Sequence, residues 1–134
     1  MTQPNCEQRI NEALKGRLSD LDTLLKTSSC EDIRRLDEYA LCFDYVEAYT
    51  FDDQPEAYLR YQISWGGPSD EFRFYVRDDQ SCYRIEYWFL DWFDGAHRDV
   101  TEDHTVLRLW RWLRESRQVE SAMPFLVRLS KAAR

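Results

Sequence analysis

The sequence predicts an α+β domain, an antiparallel meander of three to four strands with two N-terminal and two C-terminal helices packed on it. Three observations predict it. Apolar residues recur at helical spacing before residue 41 and again after residue 100. Between those stretches the period falls to two. The last three β runs are joined by turns of about four residues, which suit antiparallel neighbours and leave no room for a parallel crossover. The 134 residues make one domain, 1–134, divided into a helical hairpin (1–40), an antiparallel sheet (41–96) and C-terminal helices (97–134).

Each element has its own signal. Ile10, Leu14, Leu18, Leu21 and Leu25 form one stripe of a first helix over 5–27, and Asn5 with Gln8 reads as a capping box. Gly16 inside it costs about 1 kcal/mol against alanine, so it marks close packing or a weak point. Ser28 with Glu31 caps a second helix carrying Ile33, Leu36 and Ala40. Strands follow at 41–46, 57–65, 71–77 and 82–93. The loop 47–56 and the turns Gly66-Gly67-Pro68-Ser69 and Asp78-Asp79-Gln80-Ser81 separate them, and Asp94-Gly95 turns the chain out of the last. Two glycines before a proline predict at least one positive φ there. Val100 and Thr101 read as staple and N-cap of a third helix bearing Val106, Leu109, Trp110 and Leu113. A last helix starts near Ser121, with Pro124 in its first turn and Phe125, Leu126 and Leu129 docking it.

Composition narrows the function. The formal charge is −7, with 7 basic against 13 acidic residues over 1–67, 4 against 10 over 68–107 and 7 against 2 over 108–134. Such a surface repels phosphate backbones, which disfavours direct nucleic-acid binding. No apolar run is long enough for a membrane span, and the opening residues lack a hydrophobic signal core, so a cytoplasmic location is expected. The four cysteines (Cys6, Cys30, Cys42, Cys82) show no CxxC spacing and read as buried free thiols, and His97 and His104 read as surface residues. No metal, cofactor or nucleophile–base motif is expected, and hence no enzyme. The arginines 108, 111, 114 and 117 read as a solvated, self-paired face of the third helix.

The candidate partner-binding residues are the turn acids Asp52, Asp53, Asp70, Glu71, Asp78, Asp79, Asp91 and Asp94, expected to be mostly exposed because burying them unpaired costs several kcal/mol each, together with Trp88 and Trp92. The two tryptophans stand on one side of the fourth strand. They are core if the C-terminal helices cover that side and an aromatic binding patch if they do not.

The segments 61–74 (YQISWGGPSDEFRF) and 85–96 (IEYWFLDWFDGA) resemble a family of small acidic plasmid- and phage-borne proteins encoded among antirestriction and anti-CRISPR genes. The resemblance spans about residues 41–96. It implies a mobile-element protein that blocks a host defence effector complex, CRISPR–Cas in type. A non-enzymatic inhibitor, monomeric or homodimeric, is the expectation. An acidic surface would let it compete with nucleic acid for a basic groove. A small metal-dependent hydrolase or nuclease and a structural homo-oligomer are the alternatives.

Overall fold

The computed structural model describes residues 5–26 and 36–124. Five antiparallel strands form one sheet in simple meander order: β1 Cys42–Val46, β2 Tyr58–Ser64, β3 Ser69–Val76, β4 Cys82–Asp91 and β5 Asp94–Asp99. The described helices are α1 Cys6–Lys26, α2 His104–Glu115 and α3 Gln118–Ala122, and residues 36–39 are also helical. The cap at Ser28 and Glu31, Ile33, and the docking residues Phe125, Leu126 and Leu129 lie outside the described residues.

The capping box closes as its spacing requires. Asn5 N donates to Gln8 Oε1 and Gln8 N to Asn5 Oδ1, each at 2.9 Å, which satisfies two of the donors a helix start leaves open. Ile10 and Leu21 of α1 are fully buried against the sheet face formed by Leu59, Phe72, Phe74, Ile85 and Tyr87, and Val106, Leu109 and Leu113 of α2 complete that core. Gly16 faces open space, so it is the weak point and not a close approach.

Four expectations are corrected. The sheet has five strands, because the run read as 82–93 ends at Asp91 and the chain returns as β5. The sequence DGAHRD has almost no intrinsic β preference. Its pairing with β4 holds it, along with Arg98, which reaches Glu7 (2.7 Å) and Asn11 (3.1 Å) on α1. The N-cap of α2 is Asp103, whose Oδ1 accepts from Val106 N at 3.0 Å. Thr101 instead fastens the sheet, its Oγ1 accepting from Ile85 N at 3.0 Å. Finally, α3 begins at Gln118 after a left-handed Arg117 (φ 64°), and Pro124 follows the helix, where a chain that cannot continue helically belongs.

Strand alternation then defines the second face. Register places Arg60, Glu71, Arg73, Glu86, Trp88 and His97 side by side across β2 to β5, opposite the helices. This face is charged and aromatic where the other is apolar.

A candidate binding cleft on the open sheet face

Loop 47–57 shapes the site. Buried Gln54 ties it into one conformation, its Nε2 donating to the carbonyls of Glu47 (2.9 Å) and Glu56 (2.6 Å) while its Oε1 accepts from Phe51 N (3.2 Å). The loop thereby stands over the open face and encloses a cleft of about 730 Å³. Phe51, Asp52 and Asp53 line its loop side, Trp65 and Trp92 its upper end, and Arg60, Glu71, Arg73, Trp88 and Leu90 its floor. In a meander the β2–β3 and β4–β5 turns fall at the same end of the sheet, which is why Trp65 and Trp92 both line that end of the cleft.

The floor is electrostatically closed. Arg73 is sandwiched between aromatic rings, its guanidinium carbon 3.8 Å from the Trp88 centroid and 4.6 Å from that of Tyr58, and its Nε donates to Glu71 Oε2 at 2.8 Å. Arg60 forks onto both oxygens of Asp44 at 3.0 and 2.7 Å. In the adjoining hollow, Arg84 donates to Glu56 at 2.8 Å and lies 3.9 Å from the Tyr75 ring centroid. Its Nε stands 3.4 Å from Glu86 Oε2 without hydrogen-bond alignment. The Tyr83 hydroxyl also donates to Glu56. That bond and Arg84 hold the Glu56 carboxyl below its usual range, while burial, helped by Glu56, pushes the Tyr83 hydroxyl up to about 12. Trp88 stacks on His97 at 4.5 Å between centroids.

The upper end is different in kind. Trp65 is 77% exposed, Trp92 89% and Phe93 fully so. Trp92 occupies a left-handed conformation (φ 56°) in the two-residue connection between β4 and β5. A bulky residue is strained there by about 1–2 kcal/mol, and glycine or asparagine is the usual occupant. Asp52 and Asp53 are exposed, and among the described residues neither has an ion-pair or hydrogen-bond partner.

The predicted binding acids therefore do not form one surface. Asp52 and Asp53 stand on the cleft rim. Asp70 and Glu71 are corrected from exposed turn acids to buried strand residues, each 3% exposed. Burial is affordable because Asp70 is saturated by Arg17 (2.7 and 3.1 Å), Ser64 Oγ (2.5 Å) and Tyr87 OH (2.6 Å), and Glu71 by Arg73. Asp78 and Asp79 are exposed in the β3–β4 turn, at the opposite end of the sheet. Asp91 pairs with Arg9 at 2.5 Å, and Asp94 accepts from Cys6 N at 2.7 Å, which holds its carboxyl low. Both acids thus fasten the hairpin to the start of α1. Trp88 is a half-buried floor residue and Trp92 projects into solvent, so the helices cover neither.

Phe51, Gln54, Trp65 and Arg73 were not singled out by the sequence. Trp65 alone carried a signal, as a tryptophan directly before a glycine-rich turn. Of the thiols described, Cys6 is buried, Cys82 half-buried and, against expectation, Cys42 exposed; Cys30 lies outside the described residues. The arginine row includes an ion pair with α1, Arg108 to Asp22 at 3.2 Å. No helix among the described residues is long and apolar enough to cross a membrane. No family model, curated protein or solved structure matches the chain.

Proposed function

We propose that the chain is a non-enzymatic binding protein that inhibits a bacterial host defence complex of CRISPR–Cas type, docking through the aromatic end of its open sheet face. The observation that carries the binding reading is Trp92. An indole that is 89% exposed, held at a backbone conformation that favours glycine or asparagine, costs stability and makes no ring contact or side-chain hydrogen bond among the described residues, as expected of a residue kept for an external contact. Trp65 and Phe93 widen that tip into an aromatic patch, and such patches mark protein interfaces. The defence setting comes from the resemblance of segments 61–74 and 85–96 to anti-defence proteins, and both segments contribute to this end of the sheet. With a formal charge of −7 and the free acids Asp52 and Asp53 beside the patch, the partner's complementary surface is basic, as a nucleic-acid groove is. Protein–protein competition for such a groove inhibits without chemistry.

Phage plating tests the reading. Bacteria armed with a CRISPR or restriction system that targets the phage should regain plaques when they express this chain. Unchanged restriction by every system tried, with the protein folded and abundant, contradicts it.

A further inference from the structure

The geometry points to the cleft as a receptor for one basic side chain of the partner, an arginine guanidinium in preference to a lysine. This inference rests on the protein-binding reading above and specifies the chemistry that its cleft accepts.

Charge balance gives the sign of the guest. The floor cations are closed by their own carboxylates, Arg60 by Asp44 and Arg73 by Glu71, so the remaining charge of the wall is that of Asp52 and Asp53. An anion is repelled there, and a neutral apolar group gains nothing from the two rim carboxylates, which stay hydrated.

Aromatic content gives the type of cation. Phe51, Trp65 and Trp92 bring exposed rings to the same cleft, and ring faces attract cations, indole most strongly. The neighbouring floor already shows the complete arrangement twice. Arg73 lies over Trp88 and Tyr58 with Glu71 on its Nε, and Arg84 lies over Tyr75 with Glu56 on its Nη2. Each unit is a ring face, a guanidinium and a carboxylate. The loop side and the upper end of the cleft together supply further rings and carboxylates, while the two guanidiniums that line it, Arg60 and Arg73, are already held by Asp44 and Glu71. A planar fork that stacks and bonds a carboxylate at once fits this better than a compact ammonium. The volume of about 730 Å³ falls in the ~300–1,000 Å³ range of ligand pockets, enough for a side chain and its flanking backbone.

Titration with N-acetylarginine amide, followed on the indole N–H resonances of the five tryptophans, tests it. The signals of Trp65, Trp88 and Trp92 should shift saturably while those of Trp110 and Trp112 stay fixed. The isosteric neutral citrulline amide should bind about tenfold more weakly and the lysine amide a few-fold more weakly. Asp52→Asn with Asp53→Asn, both in an exposed loop, should weaken arginine about fivefold without changing the melting temperature. Absence of saturable shifts, citrulline binding as well as arginine, or full affinity in the double variant would overturn the inference. Phage rescue persisting without arginine binding overturns this inference alone. Arginine binding without rescue supports it and refutes the defence target.

Discussion

The guanidinium carbon of Arg73 sits 3.8 Å from the centroid of the Trp88 indole, on the sheet face opposite the helices. Glu71 bonds the same guanidinium at 2.8 Å, so a charged pair is buried on the side of the sheet that the core does not use. That arrangement gives the cleft a rigid floor, because neither partner can leave without stranding the other. Arg73→Met should therefore cost about 3–5 kcal/mol by urea unfolding, the range for removing one member of a buried pair. Changing Glu71→Met as well should recover most of the loss, since two apolar groups leave no orphaned charge.

The acids that hold the fold are distinct from those on the cleft rim. Asp70→Ala removes the acceptor for Arg17, Ser64 and Tyr87, and should cost about 3–5 kcal/mol. Asp91→Asn with Asp94→Asn should also lower the melting temperature, because these acids hold Arg9 and the first turn of α1. Asp52→Asn with Asp53→Asn should leave it unchanged.

Backbone conformation gives a second set. Gly66 has φ +116°, where side chains are strained, so Gly66→Ala should destabilise by about 1–3 kcal/mol. At Gly67, where φ is ordinary and a Cβ would meet Asp91 Oδ1 at 3.5 Å, Ala should be nearly neutral. Gly16→Ala fills open space in an exposed helix interior and should stabilise by about 0.5–1 kcal/mol. Thermal melts rank all three.

Stability should fall at both ends of the pH scale for identifiable reasons. The Glu56 carboxyl is held below its usual range by the Tyr83 hydrogen bond and Arg84. Its contribution is complete above its unfolded pKa of about 4.3 and is lost as pH falls through the lower folded value. Tyr83, pushed up to about 12, contributes fully below the ordinary tyrosine pKa near 10 and loses that contribution as pH rises through its folded value. Glu56→Gln should flatten the acid limb of the melting-temperature profile. An acid limb as steep in the variant as in the wild type would place the effect elsewhere.

Much of the fold was legible because burial and periodicity agree. Ile10 and Leu21 of α1, and Val106, Leu109 and Leu113 of α2, stand at helical spacing and are fully buried. Asn5 and Gln8 cap as their spacing says. What escaped is non-local. β5 forms from residues of poor strand preference because β4 and Arg98 hold it, and neither constraint is adjacent in sequence. Asp70 was unreadable for the same reason, since its partner Arg17 lies 53 residues away. Asp52, Asp53 and Trp92 were visible as candidates. Their convergence with Phe51 and Trp65 was not, because it depends on how Gln54 folds loop 47–57 back over the sheet.

Trp92→Asn probes the role proposed for Trp92, a residue held under strain for an external contact. Asparagine suits the left-handed conformation, so the variant should melt higher, by roughly 0.5–1 kcal/mol of added stability. In armed cells, at equal expression, the same variant should lose phage rescue, because deleting a hot-spot tryptophan weakens binding by about 2 kcal/mol or more, some thirtyfold. A more stable protein that no longer protects the phage is the predicted result. Undiminished rescue by Trp92→Asn would rule out an interface centred on Trp92.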